Sequence, residues 1–268
     1  MLVLLPFFCL AAVLSVTVCL SAGFSGWTLA GMLAGLFIAF YIAALALLLL
    51  VIGLLSLTID PKKSVTRLDR FYCGFTKYVM GVVCAIMRVR VTLTGEEKLP
   101  EGRWLLVSNH RSGFDIVTAL WALRRQDLAF IMKPDILRIL AVRRFACRIG
   151  CLAIDREDDR AALKTILTAA DMLKNDVTSF CIYPEGTRGD GDGMLPFRNG
   201  AFKVAQKAKV SIVVMTTEGT DRIMKNFPFR RTDVTLRILD VIPAERVTAL
   251  KTAEISRQTR LCMERALA

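Results

Sequence analysis

The chain opens with two long apolar runs, from Leu2 to about Ala22 and from Thr28 to Thr58, and then changes character at once. The first run meets the roughly 20 residues a helix needs to cross the hydrocarbon of a bilayer. The second is longer, so it spans only with tilt or with its ends in the headgroups. A signal peptide is the alternative for the first run, but the positively charged start is missing and a second span follows. From Ser64 to Met87, apolar positions at Leu68, Phe71, Tyr72, Phe75, Tyr78, Val79, Val82, Val83 and Ile86 recur at helical spacing, with Arg67, Arg70 and Lys77 off that stripe. This pattern predicts an amphipathic helix that either lies in the membrane interface or packs on a globular body.

Beyond it, β-rich runs alternate with helical ones, which predicts an α/β domain built on a mixed sheet flanked by helices. Strands are expected at Val89–Thr94, Trp104–Ser108, Leu128–Lys133, Cys151–Asp155, Thr178–Tyr183, Val210–Thr216 and Val234–Val241. Helices are expected at Phe114–Arg124, Asp159–Lys174, Gly200–Lys207 and Leu250–Leu267. No internal repeat or low-complexity tract interrupts them.

Charge sharpens this division. Residues 1–61 hold no Lys or Arg and a single acid, Asp60, so all 36 basic side chains follow Pro61. Lys62, Lys63, Arg67, Arg70, Lys77, Arg88 and Arg90 crowd the far end of the second apolar run, and by the positive-inside rule they place the globular part in the cytoplasm. The expected organisation is an N-terminal α-helical membrane anchor of two transmembrane helices over 1–60, an amphipathic interfacial region over 61–90, and a cytoplasmic domain over 91–268. The formal net charge of +12 suits a protein resting on anionic lipid. Nucleic acid is the rival partner, but no helix-turn-helix, zinc-finger or aromatic-plus-basic RNA-binding signature is present. None of the eight cysteines sits in a Cys-x-x-Cys pair with a histidine cluster, so no metal is expected.

Two short stretches carry candidate chemistry. His110, the only histidine, follows the strand Trp-Leu-Leu-Val-Ser-Asn, and Asp115 comes five residues later at the start of a predicted helix. A turn through Arg111-Ser112-Gly113-Phe114 can fold the carboxylate back onto one ring nitrogen and leave the other free as a base. A polar surface pair is the plainer reading of the same residues. The second stretch, Tyr183-Pro184-Glu185-Gly186-Thr187-Arg188, breaks a strand at Pro-Glu-Gly and puts an arginine two residues past the glycine, where it can hold a phosphate. An ordinary turn with an exposed arginine fits that stretch too.

Together, the Asn109-His110-x4-Asp115 and Pro184-Glu185-Gly186-Thr187-Arg188 blocks resemble the glycerolipid acyltransferase family; Glu185 stands 75 positions after His110. Lys133, the block from Gly150 to Arg156, and Pro196-Phe197-Arg198-Asn199-Gly200-Ala201-Phe202 extend the resemblance over roughly Leu93 to Thr220. It implies the glycerolipid acyltransferase fold and the transfer of a fatty acyl group from acyl-ACP or acyl-CoA to a lysophospholipid hydroxyl, with no cofactor. In that scheme His110 and Asp115 are catalytic. Lys133, Arg156, Glu185, Gly186, Thr187 and Arg188 bind substrate, with Arg156 and Arg188 on the acceptor phosphate and Glu185 orienting its loop or the acceptor glycerol. Backbone N–H groups around Gly186 are candidates to meet the oxyanion. One block departs: Ser211-Ile212-Val213-Val214-Met215 stands where the family usually has a proline-containing strand, which puts acyl or acceptor preference in question. Cys181, inside Phe-Cys-Ile, reads as core rather than as an acyl carrier.

Overall fold

A computed structural model of the chain describes residues 5–21, 26–61, 65–135, 139–155, 158–189 and 193–267. The chain divides into two compact units, Met1–Asp60 and Pro61–Ala268.

The first unit is a helical pair, α1 (Leu5–Ser21) and α2 (Gly26–Leu57), packed on each other. Among the described side chains of α1, Ala11, Ser15 and Cys19 are buried, four residues apart on one face. Small side chains at that spacing let two helix backbones approach closely without help from water. Ser15 donates its hydroxyl to the carbonyl of Ala11 at 2.7 Å, so it needs no outside partner. At about 1.5 Å per residue α2 extends about 48 Å, beyond the roughly 30 Å of a hydrocarbon core. Its most apolar window has a mean hydropathy of 2.9 and none of it is buried, unlike a soluble core helix. Of the two runs expected to span, only α2 reaches that length among the described residues; the 17 residues of α1 extend about 26 Å.

The second unit begins with α3 (Arg70–Ile86). It starts later than the apolar stripe suggests because Asp69 caps it, accepting from the backbone N–H groups of Phe71 and Tyr72, and Arg148 holds the same carboxylate at 2.8 Å. Cys73, Thr76, Val82 and Cys84 are buried, and Gly81 lies so close to the Trp121 ring that a Cβ there would sit 2.6 Å from it. The helix is therefore packed on the body, while Phe71, Tyr78 and Ile86 stay exposed.

Among the described residues seven strands follow: β1 (Val89–Thr94), β2 (Leu105–Ser108), β3 (Leu128–Met132), β4 (Leu152–Ala153), β5 (Ser179–Ile182), β6 (Ile212–Glu218) and β7 (Thr232–Ile242). They form one sheet in the order β1-β7-β6-β2-β5-β3-β4, parallel throughout except for the β6–β7 pair. Parallel neighbours need crossovers, here made by α4 (Phe114–Ala122), α5 (Leu140–Arg148), α6 (Asp159–Lys174) and α7 (Lys203–Ala208). Covered on both faces, β2, β3 and β5 are buried at every position, so their sequences are apolar apart from Ser108 at the end of β2 and Ser179 at the start of β5. Strand β1 alternates strictly between half-buried and exposed positions, and β7 alternates along most of its length. After β6 come α8 (Ile223–Asn226) and then, beyond β7, α9 (Ala244–Ala249) and α10 (Thr252–Leu267).

Helix α5 was not expected, since Arg143, Arg144 and Arg148 break its apolar pattern; the short α8 and α9 were not expected either. The helix expected over 200–207 is a 3₁₀ turn at Asn199–Phe202 running into α7. Strand β6 is hydrogen-bonded on both sides, to β2 and to β7, with a bulge between Val214 and Met215. Its lack of proline leaves a backbone N–H at each position between those two neighbours.

Candidate active site

Strands β2 to β6 all point the same way, so the loops that follow them gather at one edge, where α/β sites form. Asn109 extends β2 by one residue: its amide donates to the carbonyl of Thr217 at 2.9 Å and accepts from the N–H of Thr217 at 2.8 Å. A side chain thus takes the place of a ladder pair, and His110 leaves the sheet from a fixed point.

The next five residues wrap around a carboxylate. Oδ2 of Asp115 receives His110 Nδ1 at 2.7 Å and the backbone N–H groups of Arg111 and Ser112 at 2.8 and 2.9 Å. Oδ1 accepts from the hydroxyl of Thr220, in the turn after β6. Asp115 is fully buried, and its four donors replace the water it has lost. A carboxylate only accepts, so in the neutral ring Nδ1 carries the proton and Nε2 the lone pair. Tyr183 stacks on the imidazole, with ring centroids 4.3 Å apart and planes 16° from parallel, and Phe130 backs Tyr183 in turn.

The glutamate loop grips the histidine from behind. Oε1 of Glu185 accepts from the backbone N–H of His110 at 2.7 Å and Oε2 from that of Leu195 at 2.8 Å, while the carbonyl of His110 accepts from Gly189 N at 3.3 Å. Burial pushes the Glu185 carboxyl above its ordinary range, and the N–H donors of His110 and Leu195 pull against that rise. Gly186 turns the chain at φ +78°, and its N–H donates to the carbonyl of Tyr183 at 3.1 Å. That N–H, considered for the oxyanion, is thus engaged within the turn.

A cleft of about 350 Å³ lies in front of the ring, lined by His110, Ile116, Ile131, Met132, Lys133, Asp135, Tyr183, Gly186, Thr187 and Arg188. The Arg188 guanidinium lies over Gly113, where a Cβ would stand 3.4 Å from Nη2. Of the residues expected on substrate, Lys133, Gly186, Thr187 and Arg188 therefore share the cleft with His110. Glu185 does not line it, because both its oxygens are turned to backbone. Arg156 lies outside the described residues. Cys181 is fully buried in β5 and burial drives its thiol far up, which leaves no thiolate to carry an acyl group. Thr220 and Tyr183 had no assigned part in the sequence reading. Only the position of Thr220, two residues past an apolar strand, hints at its place.

A family model described as Acyltransferase matches residues 90–218, a stretch holding both motifs and five of the strands that frame them. The chain carries an Acyltransferase-family domain. The chain is similar to the 1-acyl-sn-glycerol-3-phosphate acyltransferase of Saccharomyces cerevisiae, 27% identical over 183 residues that cover 67% of this chain and 60% of the yeast protein. The alpha form from Homo sapiens is 29% identical over 175 residues, 64% of this chain and 59% of its own. The chain thus spans about 60% of the length of these curated relatives. In fold, it is similar to the crystal structure of PlsC, the 1-acyl-sn-glycerophosphate acyltransferase from Thermotoga maritima, with a TM-score of 0.56 and 24% identity over 74% of this chain and 81% of the other. Thr220, which completes the Asp115 shell, falls just past the matched stretch.

Proposed function

We propose that the acyltransferase domain transfers a fatty acyl group from acyl-ACP or acyl-CoA to the sn-2 hydroxyl of 1-acyl-sn-glycerol 3-phosphate, giving phosphatidic acid for phospholipid synthesis. The observation that carries this reading is the buried Asp115 on Nδ1 of His110, which leaves Nε2 for a cleft that also holds Lys133 and Arg188. The names of the curated relatives supply the acceptor.

In the reaction, Nε2 takes the proton of the acceptor hydroxyl as its oxygen bonds to the thioester carbon. The tetrahedral intermediate collapses, the C–S bond breaks, and the imidazolium returns the proton to the departing thiolate. Asp115 stabilises that imidazolium and fixes its tautomer. Arg188 and Lys133 hold the acceptor phosphate, and Arg156 is assigned the same task from the resemblance. Glu185 acts through the backbone, keeping His110 in register with the loop that bears Arg188.

The same reading makes α1 and α2 a membrane anchor and α3 its link to a cytoplasmic catalytic domain. The lysophospholipid acceptor partitions into bilayers, so a cleft held at that surface meets it where it is concentrated. The test is transfer by the full chain, reconstituted in vesicles, with acyl-ACP and acyl-CoA offered side by side and glycerol 3-phosphate as competing acceptor. Phosphatidic acid is the expected product, and His110→Ala is expected to slow its formation by about two to four decades. Undiminished transfer by that variant would remove the histidine from the mechanism.

A further inference from the structure

The connection from β6 to β7 starts inside the active site and ends in water. Thr220 is buried at its root, donating to Asp115, and Ile223 is fully buried three residues on. Beyond Ile223 the segment turns outward: Met224, Phe227 and Phe229 are 65%, 37% and 87% exposed, and Phe229 is the most exposed large apolar side chain described in the catalytic unit. Arg222, Lys225 and Arg230 are exposed beside them, no acid stands between Asp221 and Asp233, and Arg231 is ion-paired with the exposed Asp233 at 3.3 Å at the far end of the segment.

This is not a slack excursion. Phe227 N donates to Ile223 O at 3.0 Å, Arg230 N to Asn226 O at 2.8 Å, and the Asn226 amide to Thr232 Oγ1 at 2.9 Å. Gly219, at φ +89°, lets the root lie against β7 where a Cβ would stand 2.5 Å from the carbonyl of Asp233. The backbone is therefore fixed, and it presents the aromatic rings outward at a standing cost in apolar exposure.

We infer that residues 222–231 form a membrane-contact loop: Met224, Phe227 and Phe229 enter the acyl boundary of an anionic bilayer while Arg222, Lys225 and Arg230 meet its headgroups. Charge chooses the occupant. Apolar side chains ringed by cations with no interspersed acid complement an anionic lipid surface, each basic residue strengthening adsorption about fivefold. Arg88 and Arg90, exposed at the adjoining start of β1, widen the basic ring, and Arg88 reaches the carbonyl of Pro228 at 3.5 Å. Because the root of the loop touches Asp115, its insertion brings the active-site edge of the sheet to the surface from which an acyl acceptor would come. Only that consequence rests on the proposed reaction; the contact itself does not.

The test uses the full chain, F229W, reconstituted in vesicles of phosphatidylglycerol and phosphatidylcholine with bromine low on the acyl chains. Against the wild-type background of Trp27, Trp104 and Trp121, the added tryptophan is expected to emit blue-shifted light and to be quenched by bromine at least twofold. Charge reversal at K225E/R230E is expected to reduce that quenching. In the companion assay, F227S/F229S is expected to lose about fivefold or more of its rate on vesicle-borne acceptor and to keep its rate on acceptor dispersed in detergent. Water-like emission that bromine leaves untouched overturns the loop, whatever the transfer rate. Quenching in a chain that transfers nothing upholds the loop and sinks the reaction.

Discussion

The hydroxyl of Thr220 donates to Oδ1 of Asp115, joining positions 105 residues apart behind the only histidine. Among the described residues it is the one side-chain donor on that oxygen, while Oδ2 serves the imidazole and two backbone N–H groups. Thr220→Val keeps the shape and removes the donor. A hydrogen bond to a charged group contributes about 1.5–3 kcal/mol, so kcat is expected to fall about tenfold or more with the acceptor KM unchanged. Thr220→Ser should restore it; a variant whose KM rises with kcat intact would place the hydroxyl on substrate instead.

Asp115→Asn separates the charge of this carboxylate from its shape. The amide oxygen can still accept from His110 and the two N–H groups, and its NH₂ can donate to Thr220 Oγ1, which is able to accept. The fold and the ring tautomer survive while the negative charge beneath the imidazolium is lost. We expect kcat to fall by about one to two decades. Asp115→Ala, which strands buried donors as well, should fall further and unfold at lower temperature; equal rates for the two variants would show that the charge itself contributes nothing.

What the sequence disclosed and what it hid follow the range of the interactions. Strands β2, β3 and β5 could be read because burial on both faces favours near-continuous apolar runs, and α6 because its periodicity is long and capped by Asp158. The His110–Asp115 pair could be read because five residues of turn suffice to close it. Helix α5 was hidden by its arginines. The place of Glu185 was hidden because its partners are backbone N–H groups, which every residue but proline carries. Tyr183 and Thr220 came to the imidazole and carboxylate through strand order, which single-sequence patterns do not encode.

Arg188 stands exposed at the mouth of the cleft with its guanidinium over Gly113, close to the loop that carries His110. A phosphate held there gains a charge-assisted, bidentate contact. Arg188→Ala is expected to raise the acceptor KM by about one to two decades with a smaller effect on kcat. Arg188→Lys should recover only part of the loss, since an ammonium cannot reproduce the planar fork. An unchanged KM for acceptor in both variants would take the arginine off the phosphate.

Glu185 makes stability depend on pH in a direction opposite to that of most carboxylates. Burial raises its carboxyl in the folded chain above the ordinary 4.5, so between 4.5 and that raised value the folded state binds more proton than the unfolded. Stability from this group therefore falls as pH climbs through the window. Asp69 acts in the other sense: although burial alone would raise it, the Arg148 guanidinium and the N–H groups of Tyr72 and Phe71 hold it low. The difference between wild type and Glu185→Gln cancels Asp69 and isolates Glu185. The amide can accept from only one of the two N–H groups of His110 and Leu195, so the variant should unfold at lower temperature throughout. Its deficit relative to wild type should be greatest at the acid end and narrow as pH rises toward 7, when thermal unfolding is followed in detergent. A deficit that stays constant across the range would mean that Glu185 titrates alike in the folded and unfolded chains.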